Sequence, residues 1–218
     1  MEKNNKYGKL VTLEGISGIG KTTYFTELKK TLKNDNIIFN DEICDKKHEG
    51  INRDIFKILS SKGSRFFDNG NPKLETLLIC GKQVNDEENF VIPQLKKGKT
   101  IISDRGFDTL CILEGIIYSK KYKLDEEKTI MNLYNSISKI CVVPDITIVF
   151  TGDFNNSIAR AEKRDGQKYT KKEIDILKKS DIWFKKISKI FNRKIYEINI
   201  DNKEKNDIIN EIKEVINL

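Results

Sequence analysis

Histidine, proline and cysteine are scarce in this chain of 218 residues, which contains one, three and four of them. The single histidine, His48, argues against catalysis that depends on histidine, and we expect it in an exposed loop. The cysteines, Cys44, Cys80, Cys111 and Cys141, lie far apart and form no C-x-x-C pair. Neither a zinc site nor a disulfide framework is therefore indicated, and the last three, with apolar neighbours, are predicted to be small core residues.

Long apolar runs are missing as well. No segment approaches the roughly 20 apolar residues that a transmembrane helix needs, and residues 1–9 are charged and polar, unlike a secretory signal. We therefore expect a cytoplasmic protein in a reducing compartment, with no membrane partner. No linker rich in proline, glycine or serine divides the chain, which predicts one α/β domain over residues 1–218.

Charge of one sign does not dominate. Forty lysines and arginines against 33 aspartates and glutamates leave a formal net charge of +7. The basic residues alternate with acidic ones along predicted helices, which favours solvated helix faces over a nucleic-acid surface. We expect no nucleic-acid partner, although the excess of positive charge favours phosphorylated ligands.

The stretch from Leu10 to Thr23 is the most informative part of the chain. It combines a short apolar strand, a glycine-rich turn and a helix that opens at Lys21, and it fits the phosphate-loop pattern G-x-x-x-x-G-K-[ST]. Glycines let successive N–H groups point at one anion, and the helix adds its positive end. Lys21 can reach the β- and γ-phosphates, and the Thr22 hydroxyl can hold Mg²⁺. The predicted nucleotide-binding residues are Gly15, Ile16, Ser17, Gly18, Ile19, Gly20, Lys21, Thr22 and Thr23.

Strands and helices are predicted to alternate along the whole chain. The strands are placed at Lys9–Leu13, Ile37–Phe39, Thr100–Ser103, Ile146–Phe150 and Ile195–Ile200. Alternation of this kind predicts a parallel sheet covered by helices on both faces. Among the helices, one from Gly50 to about Ser61 is predicted to bury Ile51, Ile55, Ile58 and Leu59. A longer one from Pro72 to about Lys97 is expected to kink or break near Pro93.

Charged residues follow two of these strands, at the sheet edge where ligands bind in parallel α/β proteins. Asp104 and Arg105 come directly after the third strand, and Glu42 lies just past the second. A carboxylate there can hold Mg²⁺ or position an acceptor, and the arginine can grip a phosphate through two hydrogen bonds. A surface ion pair is the alternative, and the phosphate loop upstream favours the functional interpretation. The loop from Lys62 to Asn71, with Arg65 and Phe66, is predicted to be mobile or ligand-facing.

A basic segment follows the fourth strand. Its charged residues, Arg160, Lys163, Arg164 and Lys168, surround the turn Asp165-Gly166-Gln167. Such a flap could close over a phosphoryl group in transfer, neutralise its charge and exclude water. An exposed helix end is an equally good interpretation of these residues alone.

Taken together, the chain resembles the thymidylate kinase family of P-loop nucleoside monophosphate kinases. The resemblance rests on segments spread over nearly the whole chain: Thr12–Gly15, Asp104-Arg105 with Asp108-Thr109, Pro144–Val149, Arg160–Arg164 and Tyr196–Asp201. It implies a P-loop NTPase fold with a five-stranded parallel sheet, ATP with Mg²⁺, a lid at about residues 160–170 and often a homodimer. Lys21 would hold the donor phosphates, Thr22 and Asp104 the metal, and Arg105 the acceptor. Arg160 and Arg164 would stabilise the moving phosphoryl group.

The departures from the family pattern lie on the acceptor side. Ser17 stands where the family has an acidic residue, and Asp41-Glu42-Ile43 replaces Arg-Glu-Pro after the second strand. Gln83 occupies the expected place of an arginine that reads thymine, and Gly106 that of a tyrosine or histidine. These changes predict that thymidine monophosphate, if a substrate, is a poor one. The predicted acceptor contacts are Glu42, Arg65, Phe66, Gln83 and Arg105.

The leading hypothesis is therefore ATP-dependent phosphoryl transfer to a nucleotide by a homodimer. A kinase for a nucleoside or another hydroxyl compound is the alternative, with Glu42 as the base, since a neutral acceptor needs no phosphate-gripping arginine. A non-catalytic nucleotide-binding regulator is a third possibility, against which Lys21, Thr22 and Asp104 argue. A nucleic-acid-binding role rests on net charge alone and ranks last.

Overall fold

The computed structural model describes residues 7–42 and 49–217, so the expectations for Cys44 and His48 fall outside the described residues. Five strands form one parallel sheet in the order β2-β3-β1-β4-β5. Their bounds are β1 (Lys9–Glu14), β2 (Ile37–Asn40), β3 (Thr100–Asp104), β4 (Ile146–Thr151) and β5 (Lys194–Asn199). All five predicted strands and the parallel α/β fold are confirmed.

The sheet is buried on both faces. Successive strand residues point to opposite faces, yet each of the six residues of β4 and five of the six in β1 are buried. The near-continuous apolar sequence of these central strands is typical of a parallel sheet with helices on either side. Cys80, Cys111 and Cys141 are buried free thiols, as predicted.

Helices connect the strands in the described part of the chain. They are α1 (Lys21–Thr31), α2 (Gly50–Leu59), α3 (Pro72–Asp86), α4 (Ile92–Lys96), α5 (Phe107–Tyr122), α6 (Glu126–Ile137), α7 (Phe154–Asp165), α8 (Lys171–Ile190) and α9 (Lys205–Ile216). Helices α1 and α9 contact each other, while α5 packs between α6 and α8. No helix in residues 7–42 or 49–217 combines the length and the apolar character needed to cross a bilayer.

The predicted interruption of the long helix near Pro93 is a π-helical turn. A π-helical turn over Glu87–Val91 separates α3 from α4, and helical structure continues to Lys96. Proline lacks the N–H that an interior helical position would donate, and it is tolerated in a first helical turn. Pro93 lies in the first turn of α4, so the irregularity precedes it.

The predicted inner face of α2 is half wrong. Ile55 and Leu59 are buried, but Ile51 and Ile58 are 60% and 53% exposed. The helix packs on α3, and Asn52 occupies the inward position that follows Ile51. Two isoleucines of the predicted core face are therefore left on the surface, and the side chains of Leu74 and Leu77 on α3 are exposed as well.

A buried polar network ties β1, β4, α5 and α6 together. Asp108 is fully buried and accepts hydrogen bonds from Thr147 and Tyr134 at 2.8 and 2.7 Å. Arg193 forms an ion pair with the same carboxylate. Thr147 lies opposite Thr12 across the sheet, and their hydroxyls are 3.3 Å apart. The network fixes the start of α5, and with it the residues that precede this helix.

Replacing Arg193 tests how much this network stabilises the fold. The variant Arg193→Met keeps the aliphatic bulk but leaves a buried carboxylate without its counter-ion, so the free energy of unfolding should fall by about 3 kcal/mol. Urea denaturation measures this change. Adding Asp108→Asn removes the uncompensated charge and should restore part of the loss. A single variant within about 0.5 kcal/mol of the parent would contradict a structural role for the pair.

Candidate active site

The phosphate loop joins β1 to α1 and is shaped by glycine. Gly15, Gly18 and Gly20 have φ values of 132°, 78° and 113°, in the region that side chains disfavour. A β-carbon at Gly18 would also lie 2.0 Å from the carbonyl oxygen of Ser157 on α7. The apolar loop residues Ile16 and Ile19 are buried, so it is the loop backbone that is left to face an anion.

Lys21 is buried and folds back over this loop. Its ammonium donates to the carbonyl oxygens of Gly15 and Ile16 at 2.9 and 2.8 Å. Burial and, to a lesser extent, the nearby Arg105 lower the pKa of Lys21 to about 7 against the opposite effect of Asp104. A triphosphate placed against the loop would supply the negative charge that this lysine lacks.

Thr22 and Asp104 meet across the carboxyl ends of the strands. The Thr22 hydroxyl donates to Oδ2 of Asp104 at 2.8 Å, and Oδ1 of Asp104 is buried without a hydrogen-bond partner. Burial raises the pKa of this carboxyl, and the charge of Glu42 adds to the rise. A hydroxyl beside a carboxylate with a spare oxygen fits Mg²⁺, which binds few protein ligands and completes its shell with phosphates and water. No group of three or more acidic, cysteine or histidine ligands occurs in the described residues.

Arg105 links the phosphate loop to the end of β2. It has a φ of 71°, a conformation that is rare outside glycine and concentrates at functional sites. Its guanidinium donates to Glu42 at 2.6 Å and to the carbonyl of Gly15 at 3.0 Å. Burial alone would raise the pKa of Glu42, but Arg105 and Lys21 outweigh it and the pKa is lowered. The structure thus brings together the two predicted residues beyond β2 and β3.

Arg160 and Arg164 reach the phosphate loop from α7. Arg160 donates to the carbonyl of Gly18 at 3.0 Å, and Arg164 to the hydroxyl of Ser17 at 3.4 Å. Both lie within α7, which continues to Asp165, so the first half of the segment predicted as a flap is helical. Helical spacing places the two arginines one turn apart on the same side. The exposed Lys163, between them in sequence, is not part of the cavity wall.

One cavity of about 770 Å³ runs from the phosphate loop to α3 and α5, and all five predicted acceptor residues line it. Arg65 is already engaged there: its guanidinium stacks 4.0 Å from the ring of Tyr169 and donates to the carbonyl of Gln167 at 2.7 Å. Phe66 stacks on the same tyrosine. These contacts close the loop before α3 onto the segment after α7.

Gln83 lies at the cavity wall, but its side-chain amide already forms a hydrogen bond within the protein. Its amide donates to Glu87 at 2.8 Å. Sequence reasoning missed its neighbour Lys82, which is 1% exposed, pairs with Asp86 and lines the cavity with it. It also missed Glu114 of α5, which is 3% exposed and lines the same wall. Neither residue stands out from the many charged residues of predicted helices, so the sequence carries no signal for them.

The arrangement defines a class of protein. A parallel sheet presents a phosphate loop, a carboxylate positioned for a metal and several arginines at one end of a cavity that continues beyond them. Positioning and charge neutralisation of this kind are what phosphoryl transfer requires, so the fold and the cavity are those of a P-loop kinase.

Comparison with known proteins narrows this class. The family model for thymidylate kinase matches residues 13–212. A thymidylate kinase of Wolbachia pipientis subsp. Culex pipiens is 30% identical over 209 residues, covering 94% of each chain. One of Mycoplasma mobile is 31% identical over 158 residues, covering 71% of this chain and 70% of the relative. The chain therefore belongs to the thymidylate kinase family, whose members are ATP-dependent nucleoside monophosphate kinases.

A solved structure supports the fold. The crystal structure of thymidylate kinase from Ehrlichia chaffeensis superposes with a TM-score of 0.65 and covers 97% of this chain and 100% of its own. Its sequence identity is 19%, so this similarity concerns the fold alone. The P-loop fold expected from the sequence is confirmed.

The pKa of Lys21 predicts proton uptake on ATP binding. In the free protein this pKa is about 7, and the triphosphate charge should raise it. Above pH 7 the neutral lysine must therefore gain a proton on binding, and ATP affinity should fall as the pH rises. Calorimetric titration in two buffers of different ionisation enthalpy measures the protons bound. The variant Lys21→Arg stays charged and is the control; equal proton uptake by both proteins would contradict the assignment.

Proposed function

We propose that this protein transfers the γ-phosphoryl group of ATP to the phosphate of thymidine monophosphate, forming ADP and the diphosphate. The observation that carries this proposal is the continuous cavity, which has the Lys21 loop at one end and enclosed polar side chains of α3 and α5 at the other. A donor phosphate and a nucleotide acceptor can meet inside it near Arg105. Family membership supplies the identity of the acceptor.

Each charged group has a role in this reaction. Lys21 and the loop amides hold the donor phosphates, and Arg105 holds the acceptor phosphate close to the γ-phosphorus. Thr22 and Asp104 would hold Mg²⁺, which supplies charge neutralisation on the β- and γ-phosphates when bound. Arg160 and Arg164 lie where charge develops on the transferring group.

The segment of about residues 160–170 acts as the lid in this proposal. Its first half is the end of α7, and its second half is held to the cavity by Arg65 and Tyr169. Closing this segment over both nucleotides would keep water from accepting the phosphoryl group. The proposal therefore assigns Arg65 to hold the lid as well as to line the acceptor site.

The departures on the acceptor side still predict inefficient use of thymidine monophosphate, but the structure supplies partial compensation. Asp41, which would repel a phosphate, pairs with Lys29 at 3.3 Å. The hydroxyl of Ser17 accepts from Arg164. Next to Gln83, Lys82 provides a buried cation at the cavity wall. A nucleoside kinase with Glu42 as base is the weaker candidate, because Arg105 holds this carboxylate and its lowered pKa makes it a poor proton acceptor.

We also propose that the chain forms a homodimer. The side chains of Ile51, Ile58, Leu74 and Leu77 on α2 and α3 are between 47% and 70% exposed. The two helices that carry these exposed apolar side chains pack on each other, which favours an association site on them, and a second copy covering the same helices would bury the side chains symmetrically.

The remaining expectations are proposals of the same kind. We take residues 1–218 as one P-loop kinase domain that works in the cytoplasm without a membrane or nucleic-acid partner. Pairing of basic with acidic side chains on helix surfaces supports the last point: Lys179 pairs with Glu126 and Lys186 with Glu127, each at 2.6 Å. Paired charges offer little net attraction to a phosphate backbone.

Replacing the two arginines of α7 tests the lid. Arg160→Ala or Arg164→Ala should each lower kcat by about 10²-fold, the scale of losing one transition-state donor, with a smaller change in the KM for ATP. Steady-state kinetics at saturating substrates measures both. Lys163→Ala is the matched control, since this residue lies on the same helix outside the cavity wall. Unchanged kcat in both arginine variants would identify the segment as an ordinary solvated helix end.

An acceptor panel tests the function itself. ADP release should depend on added thymidine monophosphate, with kcat/KM below about 10⁴ M⁻¹s⁻¹, and Gln83→Arg should raise this efficiency. The panel should include thymidine, other nucleosides and the other monophosphates, and Lys21→Ala prepared in the same way controls for contaminating kinases. Turnover with nucleosides but not with monophosphates would favour the alternative kinase. ADP release that no acceptor increases would favour the regulator.

A further inference from the structure

Glu114 is a carboxyl group buried at the acceptor end of the cavity. It lies on α5, one helical turn beyond the Leu110 side chain that lines the same wall. Phe66, Ile79 and Leu113 are the apolar neighbours along this wall. A planar ring inserted among them would present its polar edge to Glu114.

We propose that Glu114 recognises the acceptor base as a neutral carboxylic acid, pairing with a ring N–H that lies beside a carbonyl, as in a pyrimidine-2,4-dione. This inference rests on the proposed function, since it assigns the group that reads the base of the same acceptor. Glu114 is a specificity-determining residue in this scheme and takes no part in phosphoryl transfer.

The surroundings of Glu114 disfavour its ionised form. The charged groups that act on it are Glu75 of α3 and Asp68 of the preceding loop, both acidic. Asp68 is paired with Lys172, and Glu75 accepts hydrogen bonds from two backbone N–H groups. Another titratable neighbour among the described residues is the thiol of Cys80, whose pKa is raised to about 11 by burial and by Glu114. A buried carboxylate facing acids rather than cations carries a large desolvation cost.

The pKa of Glu114 agrees with this geometry. Burial, opposed by the hydrogen bond from Thr76 and supported by the charges of Glu75 and Asp68, raises the pKa of Glu114 to about 8. At pH 7 the group is therefore mostly protonated.

Hydrogen bonding orients the acid toward the cavity. The Thr76 hydroxyl donates to Oε2 of Glu114 at 2.8 Å, which leaves the carboxyl proton for Oε1. Oε1–H is then a donor, and the second lone pair of Oε2 is an acceptor. These two groups complement the carbonyl and the N–H of a dione edge. An ionised carboxylate would instead require two adjacent donors, as on the N–H and amino edge of guanine.

The contacts of α3 explain why this role falls to α5. Gln83 stands where the family pattern places a base-reading arginine, but its amide is used by Glu87. Glu87 in turn accepts from the backbone N–H of Val142 at 2.8 Å. Glu114 has no such cross-link beyond Thr76 among the hydrogen bonds of the described residues.

The test compares the parent protein with Glu114→Gln and Glu114→Leu between pH 6.5 and 9.5, a range chosen around the pKa of about 8. Glutamine keeps a neutral donor–acceptor pair without a titrating proton. The KM for thymidine monophosphate and its dissociation constant without ATP are measured for each protein, together with the KM for ATP.

We expect the parent and Glu114→Gln to bind thymidine monophosphate within about threefold of each other at pH 7. Above pH 8 the affinity of the parent for thymidine monophosphate should fall by up to about tenfold per pH unit as Glu114 ionises. The affinity of Glu114→Gln should not show this fall. Ionisation of the base itself affects both proteins alike. Glu114→Leu should bind at least about tenfold more weakly at pH 7, and the KM for ATP should be the same in all three.

For a protein that turns over thymidine monophosphate, three results would overturn the inference. They are identical pH profiles of affinity for the parent and Glu114→Gln, a loss of more than tenfold in the affinity of Glu114→Gln for thymidine monophosphate at pH 7, and a parent protein that prefers guanosine or deoxyguanosine monophosphate. If Glu114→Leu does not fold, the comparison with Glu114→Gln decides alone. Failure of the proposed function is separate, because it appears in the parent protein as absent turnover of thymidine monophosphate. Thymidine and its monophosphate then serve as binding probes, and failure of both to bind at pH 7 overturns the inference as well.

Discussion

The close approach of α7 to the phosphate loop is the constraint on which the rest of the site depends. The carbonyl of Ser157 occupies the space that a β-carbon at Gly18 would need, so the loop can curl only if this position is glycine. The same contact sets the distance between α7 and the phosphate loop. Arg160 and Arg164 follow on that helix and therefore reach Gly18 and Ser17. One backbone contact thus joins the phosphate loop to the two arginines that we propose neutralise the transferred group.

The charges at the donor end are held in place by internal partners that nucleotides can replace. Lys21 donates to two loop carbonyls, and Arg105 pairs with Glu42. Desolvation makes these groups costly to bury, so part of that cost is recovered when phosphate charge arrives. The site is consequently preorganised, with its cations already at the carboxyl ends of β1 and β3, and in the proposed reaction substrate binding exchanges their partners rather than building the geometry.

The acceptor end follows a different principle. Its wall combines apolar side chains with polar groups that are satisfied by neighbours: Gln83 by Glu87, Lys82 by Asp86 and Glu114 by Thr76. Discrimination in such an enclosed pocket comes from leaving a buried group unpaired when the wrong ligand enters. Where a single position departs from the family pattern, neighbouring side chains of the wall therefore have to contact the ligand instead. Specificity then depends on all the side chains of the wall together.

Local patterns in the sequence were sufficient for the five strands, the phosphate loop and the placement of Asp104, Arg105 and Glu42 at one edge of the sheet. These features depend on strand periodicity, on glycine spacing and on the rule that parallel strands share a carboxyl edge. Only the tertiary structure placed Arg160 and Arg164 against the phosphate loop, exposed Ile51 and Ile58, and enclosed Lys82 and Glu114 at the cavity wall. The physical reason is that burial, and with it the charge state of an ionisable group, is decided by which distant segments pack around a residue, and a linear pattern does not record those neighbours.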